Sequence, residues 1–184
     1  MITLLSGTNR PGSNTRKVTS IIEAIYRQMG VEHRVLDLHG LPPEIFSPAA
    51  YAEKPVSFAP FSQQILDSDG VVVVTPEYNG SFPGVLKLFI DHLKFPESFE
   101  KRPVCFVGLA AGMWGALRSV EQLQTIFGYR NAFVFPGRIF LPGVNGLLDE
   151  KGQLKDAELQ GRLVRQADEF VAFVEHLRAV KLKR

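Results

Sequence analysis

The chain has 184 residues, 45% of them hydrophobic and 22% charged, a globular profile long enough for one domain with a substantial core. Lys and Arg exceed Asp and Glu by 21 − 19 = +2, which argues against a nucleic-acid footprint or a membrane-binding face. No apolar run reaches the roughly eighteen residues of a membrane span. Cys105 is the single cysteine, so an internal disulfide is excluded, and His33, His39, His92 and His176 lack metal-ligand spacing. The segment after Met1 reads as a strand rather than a secretion signal. The expected setting is reduced and cytoplasmic, and the basic end "KLKR" at 181–184 reads as a solvated terminus.

Strand and helix patterns then alternate. "ITLLS" reads as a short buried strand. Val18, Ile21, Ile22, Ile25 and Met29 recur at helical spacing up to Gly30, and "HRVLDL" is a second strand. Residues 41–60 hold five prolines and no sustained period, which predicts a long loop that covers a site or a partner surface. "FSQQILDSD" is a short helix, and "GVVVVTP" has the continuous valines of a strand buried on both faces. "GVLKLFIDHLK" carries Val85, Leu86, Phe89, Ile90 and Leu93 on one helical side. "RPVCFVGLA" is a fourth strand, "GALRSVEQLQTIF" a fourth helix, and "NAFVFPGRIFLPG" a fifth strand with an irregular extension. Asp156 is placed to cap a last helix whose core stripe is Leu159, Leu163, Ala167, Phe170, Val174 and Leu177.

This pattern predicts one α/β domain over residues 1–184, a doubly wound parallel sheet with helices on both faces. Ligands in such sheets bind beyond the carboxyl ends of the strands. That rule selects the loops Gly7–Asn14, Thr75–Pro83 and Ala110–Ala116, where much of the unusual composition lies. The first loop runs into a helix N-terminus and adds Thr8, Arg10, Ser13, Asn14 and Thr15, a setting for an anion as well as for a plain polar turn. Its glycines have P-loop spacing, but Ser13 stands where that motif needs lysine. The dinucleotide fingerprint is absent too. As an anion site, a hydroxyl-rich loop without that lysine suits a phosphate monoester best. In the second loop, Pro76, Gly80, Pro83 and Gly84 surround Glu77, Tyr78 and Asn79, which suits main-chain contact with a planar ring or a tight surface turn. In the third, Met113 and Trp114 read equally as a pocket wall and as an oligomer contact. Arg118 reads as a solvated helix arginine, and Cys105 as a packing residue rather than a redox thiol.

"SGTNRPGSNT" and "PEYNGSFPGVLKLFIDHL", followed by "GLAAGMWGALRSVEQL", resemble the NADPH-dependent FMN reductase family over roughly residues 1 to 140. The resemblance implies a flavodoxin-like three-layer sandwich with a five-stranded parallel sheet in the order 2-1-3-4-5. It implies bound FMN, with NADPH or NADH as co-substrate and a small electron acceptor: flavin, quinone, azo compound or metal oxyanion. By position, Thr8, Arg10, Ser13, Asn14 and Thr15 would surround the phosphate. Pro76, Glu77, Tyr78, Asn79 and Gly80 would hold the ring edge, with Gly112 and Gly115 near its other side. No protein nucleophile or metal is called for. A homodimer or homotetramer is implied, with segment 41–60 helping to build it. Leu88, His92 and Ala116 depart from the family pattern, and His92 reads as a surface or interface residue. Three rivals are an FMN electron carrier without its own NAD(P)H reaction, a nucleotide-handling transferase with Glu77 as nucleophile, and an interaction protein that has lost its cofactor.

Overall fold

Alternation along the strands decides the architecture. In the computed structural model, which describes residues 1–181, β1 (Ile2–Ser6) sends Leu4 to one face and Leu5 to the other. In β3 (Gly70–Pro76), Val72 and Val74 join the first face and Val71 and Val73 the second. In β4 (Pro103–Leu109), Cys105, Val107 and Leu109 oppose Val104 and Phe106 in the same way. Each of these strands is buried on both faces, so each needs a helical layer on either side.

Helices α1 (Asn14–Gln28) and α6 (Ala157–Lys181) cover the first face. Helices α2 (Ala59–Leu66), α3 (Gly84–His92) and α4 (Leu117–Tyr129) lie on the other. With β2 (His33–Asp37) and β5 (Phe133–Val134), the sheet order is β2-β1-β3-β4-β5, and every pairing is parallel. This is the flavodoxin-like order, whose switch point lies between β1 and β3. The Asp156 carboxylate accepts from the Glu158 and Leu159 amides, capping α6 as the sequence predicts. Beyond Lys181 the basic tail lies outside the described residues.

Three expectations need correction. The fifth strand is two strands: β5 is followed by β6 (Ile139–Leu141), and both pair with β4. Pro136 lies between them and has no N–H to give to a ladder. Gln166 of α6 bridges the gap, its side-chain amide donating to Phe106 O at 3.1 Å and Gly137 O at 2.6 Å. Segment 41–60 is not an open loop. It folds into 3-10 turns at Pro43–Phe46, Pro48–Tyr51 and Val56–Phe58, with Pro43 and Pro48 in first-turn positions that need no donor. Ile45, Ala50 and Phe58 bury into the second face. His92 is not on the surface: it is only 3% exposed, with Tyr51 over its ring at 4.4 Å and Phe58 against it at 6.0 Å.

Candidate functional site

A cleft of about 400 Å³ opens at the carboxyl ends of the strands, lined by the stretches 10–15, 76–78, 109–111 and 144–145. Its volume falls in the range of small-molecule sites, about 300–1,000 Å³. Seven predicted site residues line it: Arg10, Ser13, Asn14, Thr15, Pro76, Glu77 and Tyr78. At one end the Ser13 hydroxyl caps α1, accepting from the Arg16 amide at 3.2 Å. The first-turn N–H groups of Asn14 and Thr15 have no intrahelical acceptor, so they carry the positive end of the helix dipole.

Thr8 lies beneath this wall. It is 1% exposed, and its hydroxyl accepts from the Arg10 amide at 3.3 Å and meets the Tyr78 hydroxyl at 3.0 Å. That bond ties the first loop to the second. Asn79 and Gly80 stand beside the cleft at the tip of a tight hairpin, with φ of 53° and 77°. Tyr78 and Ser81 exchange both backbone hydrogen bonds, at 2.7 and 3.0 Å. Two successive positive φ values define the two-residue hairpin for which Asn-Gly is the preferred pair.

Gly112 and Gly115 support the third loop from outside the cleft lining. The Gly112 carbonyl accepts from the Gly143 amide at 3.2 Å. Gly115, at φ +55°, lies under the chain after β6, where a Cβ would come within 2.9 Å of the Leu141 and Pro142 nitrogens. Ala116 is also left-handed, at φ 70°, and fully buried beside Gly108. Met113 and Trp114 are 77% and 53% exposed. Arg118 is an exposed arginine of α4, as the sequence reading has it, and its Nη1 also lies 3.2 Å from Glu77 Oε1.

The sequence reading missed Asn145. It stands on α5 (Val144–Leu147), a short turn that follows β6, and accepts from the Asn14 side-chain amide at 2.8 Å. This contact closes the cleft wall between the phosphate-type loop and a fourth loop. The strand-end rule extends to that loop once β6 is recognised as a strand of its own.

The family model for NADPH-dependent FMN reductase matches residues 1–145. The chain belongs to the NADPH-dependent FMN reductase family. This reductase is 34% identical over 132 residues to a quinone reductase of Escherichia coli, covering 70% of this chain and 69% of the relative. It is 27% identical over 147 residues to a 2-hydroxy-1,4-benzoquinone reductase of a Burkholderia species, covering 78% and 79% of the two chains. Among solved structures, the flavoenzyme NAD(P)H:(acceptor) oxidoreductase FerB from Paracoccus denitrificans superposes with a TM-score of 0.81 at 22% identity, covering 95% and 97%. That likeness supports the fold. The reductase is an FMN-dependent NAD(P)H oxidoreductase. Among the described residues, no helix is long and apolar enough to cross a membrane.

Proposed function

We propose that FMN occupies this cleft, with its phosphate at the α1 N-terminus and its ring edge along Pro76–Gly80, and that the electrons leave to a quinone. The observation that carries the placement is one cleft shared by an anion-type loop and a rigid hairpin. Arg10 is the cation of its lining and Glu77 the carboxylate, among the described residues. Arg10, with the amides of Ser13, Asn14 and Thr15, would hold the phosphate through the helix dipole and charge-assisted hydrogen bonds. Thr8 orients Tyr78 from below, and the main chain of Tyr78–Gly80 would meet the ring's polar edge. FMN held there would supply the redox chemistry between NAD(P)H and the acceptor. The protein contributes position and charge. The names of the Escherichia coli and Burkholderia relatives support a quinone over a free flavin, an azo compound or a metal oxyanion.

The test is a visible spectrum of the purified protein, then anaerobic mixing with NADPH and NADH, then turnover across a panel of those four acceptors. Bleaching by a reduced nicotinamide and fastest turnover with the quinone are expected. A flavin that stays oxidised is the outcome of the electron-carrier rival. A protein that cannot be loaded with FMN contradicts the placement.

We further propose a homo-oligomer in the cytoplasm. Phe46, Tyr51 and Val56 are exposed on segment 41–60. Val56 lines, and Tyr51 adjoins through His92, an apolar groove of about 490 Å³ between Lys54–Phe58, α2 and the end of α3. Apolar surface of this kind favours a partner. Light scattering is expected to give a dimer or tetramer, and a monomer removes the proposal. The single buried cysteine is compatible with a reducing compartment.

A further inference from the structure

Outside the cleft lining, one charged side chain reaches in behind it. Arg118, in the first turn of α4, places Nη1 3.2 Å from Glu77 Oε1. Glu77 lines the cleft, and its second oxygen, Oε2, is buried without a hydrogen-bond partner. A buried carboxylate oxygen left unpaired is costly unless a neighbouring charge compensates it. The Arg118 guanidinium also lies 5.9 Å from the centre of the Trp114 ring, a cation–π geometry that orients the side chain.

The same helix grips the hairpin elsewhere. Ser119 Oγ donates to Pro76 O at 3.2 Å, and Gln122 Nε2 donates to Gly80 O at 3.3 Å. Ser81 Oγ donates to Gln122 Oε1 at 2.6 Å. Helix α4 therefore holds both ends of the stretch 76–81, and Arg118 alone adds charge to that hold.

We propose that Arg118 is a positioning residue that fixes the Glu77 carboxylate and cancels its charge beside the flavin ring. The inference rests on the proposed placement of the ring along Pro76–Gly80. In that placement Arg10 is matched to the phosphate, so without Arg118 the Glu77 carboxylate beside the ring would carry an uncompensated negative charge. Reduction by NAD(P)H transfers one hydride to the ring, which amounts to two electrons and one proton, while the nicotinamide leaves as NAD(P)⁺. The ring gains one negative charge in that exchange. A negative neighbour opposes the gain, and a compensated one does not.

The test compares wild type with Arg118→Gln, Arg118→Lys, Glu77→Gln and the double variant Arg118→Gln/Glu77→Gln. The readouts are the midpoint potential of bound FMN and the fluorescence-titrated affinities for FMN and riboflavin. Arg118→Gln is expected to lower the potential and to weaken FMN and riboflavin by the same factor, about tenfold for a lost charge-assisted hydrogen bond. The double variant returns the potential toward wild type, and Arg118→Lys, which keeps the charge, holds it there. Arg10→Gln is the control at the phosphate end and weakens FMN but not riboflavin. If that control weakens both ligands alike, the placement fails and the inference with it. If the control holds while Arg118→Gln leaves the potential unchanged or raises it, or the double variant does not restore it, the inference alone is overturned.

Discussion

Thr8 and Tyr78 are separated by seventy positions and joined by one hydroxyl–hydroxyl bond of 3.0 Å. Thr8→Val removes that bond and the acceptor for the Arg10 amide, leaving a part-buried N–H unpaired. The expected loss is about 1–2 kcal/mol of stability, with FMN affinity falling several-fold as Tyr78 loosens. Urea unfolding and a fluorescence titration check both. His92 makes the pH prediction. Burial, with the charge of Lys54 adding to it and Asp91 opposing it, lowers its pKa from the ordinary 6.5. Neither ring nitrogen has a partner. The unfolded chain therefore binds this proton more readily than the folded one, so stability falls as pH drops below about 6.5 and is insensitive to this group above it. Thermal unfolding of wild type is expected to drop more steeply from about pH 7 to about pH 5 than that of His92→Leu. Equal slopes would remove His92 as the cause. Cys105 needs no redox role: burial pushes its thiol pKa far up, which keeps it protonated and inert.

At the scale of elements, sequence and structure agree where the periodicity is strong. The valine run of β3 and the apolar stripes of α1, α3 and α6 are legible because each position repeats one environment. Segment 41–60 was not legible as turns. A 3-10 turn spans three or four residues, too few to show a period, and its prolines read equally as loop punctuation. The β5/β6 split was only half legible: Pro136-Gly137-Arg138 interrupts the apolar pattern between Phe133 and Leu141, but that break reads equally as an irregular extension, and the return of Ile139–Leu141 to β4 is a property of the fold. In the candidate site, the two loops with unusual composition were legible. Asn145 was not, because one asparagine after an irregular strand carries no signal until the fold brings it to Asn14. The hairpin at Asn79-Gly80 was legible in its dipeptide. Gly115→Ala adds a Cβ against two backbone nitrogens at a left-handed position, so it is expected to cost more than about 1 kcal/mol. It should also push the third loop away from β6. Denaturant unfolding and the near-ultraviolet signal of Trp114 check this.

Across the whole molecule, two apolar layers clamp the central strands, and the candidate cleft lies at the carboxyl ends of those strands. Phe106, fully buried against Phe127 at 5.4 Å, belongs to the layer beneath α4. Phe106→Ala is expected to cost about 3–5 kcal/mol, measurable by urea unfolding. Binding at that edge stabilises the fold as a whole. Saturation with FMN at about one hundred times its Kd adds about 2.7 kcal/mol by mass action, seen as a rise in melting temperature.

The most direct measurement is a crystal structure of the FMN complex. It is predicted to show the phosphate within hydrogen-bond reach of the α1 first-turn amides and Arg10, with the ring edge against the main chain of Tyr78–Gly80. A flavin bound elsewhere, or one lying reversed with its ring at the α1 N-terminus, would contradict the account.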